Sequence, residues 1–124
     1  MHVGIFRISG WCLALAATLL VAGCWDDSRF DHTPAAEQGS IIVDNRSSRD
    51  LDVFIAGEPV QRVSARRWRA FDREPGVYRV VLDERRGDRN FRGDIDVLRG
   101  RLTVLEVTTD PGHRNRFSVF TYFD

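Results

Sequence analysis

Between residue 40 and the C-terminus, short apolar runs alternate with polar turn signals, and several runs carry a two-residue period. Ser40–Asp44 (SIIVD) is rich in β-branched residues, and Asn45–Asp50 (NRSSRD) is a polar turn. Leu51–Ala56 puts Leu51, Val53 and Ile55 on one face, the pattern of a half-buried strand. Gly57-Glu58-Pro59 interrupts it, and Val60–Val63 is a weaker strand. Arg67–Asp72 is a further candidate. After the Pro75-Gly76 turn, Val77–Asp83 aligns Tyr78, Val80 and Leu82. Glu84–Asn90 is a hairpin tip around Gly87. Phe91–Leu98 then sets Phe91, Ile95 and Val97 against Arg92, Asp94 and Asp96. Leu102–Thr109 and Arg116–Phe123 complete the series, separated by the turn Asp110–Arg114. No segment beyond residue 24 has a helical period bounded by caps. The pattern predicts an all-β fold, a small antiparallel β-sandwich of seven or eight short strands over residues 40–124.

The last strand is aromatic-rich. A regular strand puts Phe117, Val119 and Phe123 on one side and Phe120 and Tyr122 on the other. A strand of a sandwich buries one face, so Phe120 and Tyr122 form a candidate contact surface for a protein partner.

The first 24 residues read differently. Arg7 precedes an uncharged run, Trp11–Ala22, which is well short of the ~20 residues a membrane-spanning helix needs. It matches the ~7–15 residue apolar core of a secretory signal. The run closes on Val21-Ala22-Gly23-Cys24, which resembles the bacterial lipobox. That resemblance implies a signal peptide over residues 1–23, cleavage between Gly23 and Cys24, and lipidation of the Cys24 thiol. It also implies a membrane anchor in the cell envelope. Trp25 rather than aspartate follows the cysteine, which under the sorting rule for such lipoproteins favours the outer membrane. Cys12 leaves with the signal, so no thiol pair remains for a disulfide. Residues 24–39 carry no period and include Pro34 and Gly39; they read as a flexible tether, with His32 a solvated side chain.

The stretches LDVFIAG, FDREPGVYRVVL and DIDVLRGRLTVLEV resemble the PEGA-type domain and related transthyretin-like bacterial sandwiches. The matching positions are Val53, Ile55 and Gly57; Pro75, Gly76, Tyr78, Val80 and Leu82; and Gly100 leading to Val104 and Val107. The P-E-G-A tetrapeptide itself is missing, and the corresponding loop reads Ser47-Ser48-Arg49-Asp50. The resemblance implies a non-catalytic surface or envelope module and transfers no active-site residue.

Candidate chemistry is sparse. The 18 basic residues, all arginine, balance 18 acidic ones. No net field draws a polyanion, and nucleic acid is not an expected partner. The arginines are interleaved with aspartates along the whole chain, as on an ordinary solvated surface. His32 and His113 are the only histidines beyond the signal, too few for a zinc site or a nucleophile–base pair. No metal or cofactor is expected. Asp50 with Asp52, and Asp94 with Asp96, fall on strand faces as ordinary polar pairs. Two Arg-Gly-Asp triplets, at 86–88 and 92–94, read as turn composition. Arg85, Arg86, Arg89 and Arg92 are candidate anion contacts at the hairpin tip, with Arg66, Arg67, Arg69 and Arg73 as a second group. The sequence therefore points to a non-catalytic envelope lipoprotein whose sandwich is a binding or assembly module. The alternatives are a lipid-anchored enzyme with a carboxylate-based site and a binder of polyanions or lipid phosphates.

Overall fold

Seven consecutive buried residues, Gly39–Asn45, form the first strand, β1. The chain was analysed as a computed structural model that describes residues 29–124. The β-domain occupies His32–Asp124. Seven further strands follow: β2 (Leu51–Ile55), β3 (Glu58–Pro59), β4 (Trp68–Arg73), β5 (Gly76–Glu84), β6 (Asn90–Val97), β7 (Leu102–Thr109) and β8 (Phe117–Phe123). They form two four-stranded sheets, in the orders β4-β1-β7-β8 and β3-β2-β5-β6. The described residues contain no α-helix, and the expected small β-sandwich is the fold.

Alternation sorts the faces as its period requires. Leu51, Val53 and Ile55 of β2, Val80 and Leu82 of β5, and Ile95 and Val97 of β6 enter the core from one sheet. Ile41 and Val43 of β1, Leu105 and Val107 of β7, Phe71 of β4 and Phe117 of β8 enter from the other. The outward residues of β6 are polar, while those of β5 mix Arg79 and Asp83 with Val77 and Val81. Arg79 faces Asp94 in register, and its Nε donates to the carboxylate at 2.6 Å. That bond holds the Asp94 carboxyl below its ordinary value.

Two features depart from simple alternation. First, β1 has no exposed face. It lies between β4 and β7, and Ile42 is as fully buried as Ile41. Its pairing with β7 is parallel, Ile41 opposite Thr103 and Val43 opposite Leu105, so the sandwich is not wholly antiparallel. Parallel neighbours need a long connection, here the passage through the whole second sheet. Second, the expected strand Val60–Val63 shrinks to β3 and a single bridge between Val63 and Leu51. Ala56 (φ 53°) and Gly57 (φ 81°) turn the chain between Ile55 and Glu58. Two left-handed residues in a two-residue loop make a type I′ hairpin. It starts β3 at once, and Pro59 is tolerated because β3 is an edge.

Each strand but the two-residue β3 crosses the sandwich, and the segment from Pro59 to the Val63 bridge completes that crossing, so the connections collect at two ends. The chain joins β1 at one end, beside the 98–101 turn. There a Cβ on Gly39 would sit 2.1 Å from the Leu98 carbonyl oxygen, so the close approach requires glycine. The segment before β1 is tied to this end by Asp72. Its carboxylate accepts hydrogen bonds from Ser40 Oγ, from His32 Nε2 at 2.8 Å and from the Ala35 N–H at 3.1 Å. His32 is thus a fixed partner of the sheet, where the sequence suggested a solvated side chain.

Partial burial works against the Asp72 charge, but the hydrogen bonds from Ser40, His32 and Ala35 outweigh it and lower the carboxyl below its ordinary 3.8. A carboxyl with a depressed folded value contributes stability above its unfolded value and loses it as the pH falls through the folded one. The Ala35 amide should therefore keep its exchange protection above pH 3.8 and lose it progressively below. Asp72→Asn should remove that pH dependence. Hydrogen exchange followed by NMR reads both; protection unchanged at lower pH would reject the account. At the β2–β3 turn, Ala56→Asn should raise stability by about 0.5–1 kcal/mol in denaturant melts, because asparagine tolerates the left-handed conformation that strains alanine.

Candidate functional site

The other end of the sandwich lies about 20 Å away, six strand steps along β1. Four loops meet there: 46–50, 62–67, 84–89 and 110–116. The Asn45 side chain organises the first two. It is fully buried, and its Nδ2 hydrogens are shared among the carbonyls of Arg49 (2.7 Å), Val63 (3.2 Å) and Ser64 (3.2 Å). Its Oδ1 accepts the N–H (3.0 Å) and hydroxyl (2.6 Å) of Ser47, closing an Asx turn. Backbone bonds then join the loops. Arg66 N–H donates to the Ser47 carbonyl, Arg85 N–H to the Asp50 carbonyl, and Asn90 N–H to the Asn115 carbonyl. The Ala65 N–H donates to the Asp50 carboxylate at 3.0 Å.

This end is basic. Loop 46–50 carries Arg46 and Arg49; loop 62–67 carries Arg62, Arg66 and Arg67; the β5–β6 tip carries Arg85, Arg86 and Arg89; loop 110–116 carries Arg114 and Arg116. Ten arginines thus stand against four carboxylates in the same loops: Asp50, Glu84, Asp88 and Asp110. Carboxylates just inside the strands neutralise some of the excess. Arg46 reaches Asp44 (3.0 Å) and Glu106 (3.5 Å), while Arg62 and Arg85 converge on one oxygen of Asp52 at 3.2 and 3.8 Å. Among the described residues, Arg49, Arg66, Arg67, Arg86 and Arg114 have no carboxylate within ion-pair distance. A chain that is neutral overall therefore presents one positive end, and the even surface suggested by the sequence is not what the fold makes.

The four candidate contacts at the tip separate. Arg85 and Arg86 join Arg49, Arg62, Ser48 and Asp50 around a cleft of about 390 Å³. Arg89 turns beneath the tip toward the buried Glu84, Nη1 to Oε2 at 3.6 Å, and is a support of the hairpin. Neither Glu84 Oε2 nor Arg89 Nε has a hydrogen-bond partner, so the pair is only loosely satisfied. Arg92 lies on β6 and lines a second cleft, of about 460 Å³, with Phe91, Asp110 and Arg116 between the edges of β6 and β8. The second arginine group also divides: Arg66 and Arg67 belong to the basic end, Arg69 lies within β4, and Arg73 pairs with Gly39 at the opposite end. Arg49 and Arg62 escaped the sequence reading. Only the pairing of Leu51 with Val63, and of loop 46–50 with loop 62–67, brings them to the tip.

Local geometry at the tip is strained and close-packed. Arg66 and Arg86 both have φ 62°, a conformation that costs a non-glycine residue about 1–2 kcal/mol. A Cβ on Gly87 would fall 1.5 Å from Glu84 Oε1, so this glycine lets the tip close over the buried carboxylate. The triplet 86–88 is therefore on the tip. The triplet 92–94 is within β6, where Gly93 leaves room for the Phe91 ring.

Other candidates resolve into structural roles. Asp52 is taken by Arg62 and Arg85, Asp94 by Arg79, and no cluster of metal-ligating side chains occurs among the described residues. His113 Nδ1 faces Asp110 at 2.8 Å, and Arg116 Nη2 faces its Nε2 at 2.7 Å. Arginine can only donate, so Nε2 accepts and Nδ1 carries the proton toward Asp110. This bond and the Gly112 N–H hold the Asp110 carboxyl below its ordinary value. On β8, an edge strand, Phe120 is 66% exposed and its ring lies 5.7 Å from that of the half-buried Tyr122. Phe123, on the opposite face, is 45% exposed and lies beneath the Arg101 guanidinium. Gly23 and Cys24, the proposed cleavage and lipidation positions, lie outside the described residues.

Asn45 should be the most sensitive polar position in the domain. Asn45→Ala removes five side-chain hydrogen bonds at a buried position and should cost about 2–3 kcal/mol in urea melts. Asn45→Asp should cost more at neutral pH, because it sets a carboxylate against three carbonyl oxygens in place of their donor. Equal stability of the two variants would refute this role.

No protein-family model matches the chain, and no curated protein matches it.

Proposed function

We propose that this chain is an exported lipoprotein, anchored through Cys24 in the cell envelope, and that its β-sandwich is a non-catalytic binding module. The observation that carries the reading is the collection of carboxylate-free arginines at one end of a neutral chain. Holding like charges together destabilises a fold unless a ligand compensates them. The chain joins the domain at the opposite end, through the Asp72 cluster. A tether from a membrane would therefore leave the arginine end available to a partner. The PEGA-like resemblance of the strand motifs agrees with a non-catalytic envelope module. A second reading, a protein contact at the edge strand, is favoured by the exposed Phe120 ring beside Tyr122.

Two measurements test the proposal. Cys24→Ser should abolish labelled palmitate uptake and release the protein from membranes; continued labelling would remove the anchor. A photo-crosslinker at Ser48 should give adducts in intact cells, whereas one at Glu58, at the opposite end, should not. Adducts from Phe120 instead would move the contact to the β8 edge. Equal yields from all three positions would overturn a localised binding surface.

A further inference from the structure

The cleft at the arginine end has the composition of a phosphoryl site. Its lining brings together guanidinium groups from three separate loops: Arg49, Arg62, Arg85 and Arg86. Arginine presents a planar fork of donors that matches phosphate oxygens two at a time. Two of the four are pre-oriented. Arg62 uses Nε, and Arg85 uses Nη1, on the same oxygen of Asp52, which leaves their remaining N–H groups free to donate. The other two, Arg49 and Arg86, have no carboxylate partner among the described residues. The Asp50 carboxylate, also in the lining, is occupied by the Ala65 N–H.

Charge selects the ligand class. Four guanidinium groups against Asp50 and Asp52 leave the cleft with two uncompensated positive charges. A phosphomonoester carries about −1.5 to −2 at neutral pH. The volume, about 390 Å³, is that of a small ligand site and admits a phosphoryl group with part of the molecule that bears it. The backbone points the same way. Arg86 is held in the left-handed region at the cleft rim, and such strain collects where a side chain must be aimed.

We propose that Arg49, Arg62, Arg85 and Arg86 form a binding site for a phosphomonoester or pyrophosphate group. This rests on the binding-module reading and names its ligand chemistry. The group could be borne by a lipid or by a soluble molecule, and the test separates these sources.

The full chain, purified in dodecyl maltoside, is titrated with inorganic pyrophosphate by calorimetry. It is also titrated with short-chain phosphatidic acid dispersed in the same detergent, with short-chain phosphatidylcholine as the control, so that the anchor plays no part in the readout. Saturable pyrophosphate binding that weakens with salt is expected. Arg49→Lys and Arg86→Gly should each lower affinity about tenfold or more, the first with charge retained, because lysine lacks the fork. Arg86→Gly also relieves the left-handed residue, so its melting temperature should not fall. Arg114→Ala, outside the cleft, should change affinity by less than about twofold. Phosphatidic acid binding that Arg49→Lys abolishes, with no binding of phosphatidylcholine, assigns a lipid source; pyrophosphate binding without phosphatidic acid binding assigns a soluble one. Absence of pyrophosphate binding overturns the site. So does an Arg49→Lys variant that binds like wild type, or an equal loss in Arg114→Ala, since either reduces the effect to a diffuse field. Those results leave the crosslinking from Ser48 unaffected, so the binding module and its phosphoryl site fail separately.

Discussion

One buried amide holds the positive end of this molecule together. Asn45 closes the sheet strand β1, and its side chain bonds to both the 46–50 turn and the 62–67 crossover, which the Asp50 carboxylate also joins by accepting the Ala65 N–H. Each of the carbonyls of Arg49, Val63 and Ser64 accepts a second bond, from Ser47 Oγ, Leu51 N–H and Arg67 N–H, and the Asn45 amide is the donor they share. Asn45 supplies the donors, and the two arginine-bearing loops can then approach. The approach concentrates like charge, and the underlying polar contacts must offset it. The pairing of Arg62 and Arg85 on Asp52 and of Arg46 on Asp44 and Glu106 does this at the strand ends beneath the loops. The outer arginines are left for solvent or ligand.

The two ends of the sandwich therefore differ in kind. At one, Asp72 draws Ser40, His32 and Ala35 together, an acidic centre that is satisfied by its own chain. At the other, donors outnumber acceptors. Both arrangements follow from strand direction alone. Each strand delivers its following loop to the end opposite the one before it, so loops alternate between ends in sequence. Ten arginines gathered in alternate loops, against Arg99 and Arg101 in the 98–101 turn, produce a local field in a chain whose total charge is zero.

That sorting explains what sequence could and could not reveal. The inward faces of β2, β5 and β6 follow the two-residue period, and the residues that set it, such as Val53, Val80 and Ile95, are core. The end of β2 was harder. Ala56-Gly57 lacks the Asn-Gly or Asp-Gly signal of a type I′ hairpin, so β3 was misplaced by a few residues. β1 shows no alternation because both its faces are covered, which a run of β-branched residues cannot disclose by period. The arginine cleft was half legible. Arg85 and Arg86 stand out as a tip, but Arg49 and Arg62 come from loops far along the chain, and no local pattern announces that they meet. Arg89 and Arg92 look equivalent to them in sequence. One turns under the hairpin to Glu84 and the other follows the strand to a different cleft.

Local strain adds a further constraint on how this end is read. Arg66 and Arg86 occupy left-handed backbone positions, where glycine or asparagine would be relaxed. A chain that uses arginine for every basic residue would carry many arginines on any surface, but ordinary surface composition gives no reason to hold two of them in a conformation that costs stability. Glu37 and Ala56 carry the same strain away from this end; at the positive end it falls on two arginines, and one of the two lines the cleft. Retaining a strained cation where a relaxed neutral residue would fit means that the fold gives up stability at the point where charge is already in excess. The same trade appears beneath it, where Glu84 is buried against Arg89 with one oxygen and one nitrogen unbonded. Stability is thus conceded twice in one hairpin, once in the backbone at Arg86 on the rim and once in the ion pair that supports the tip from beneath.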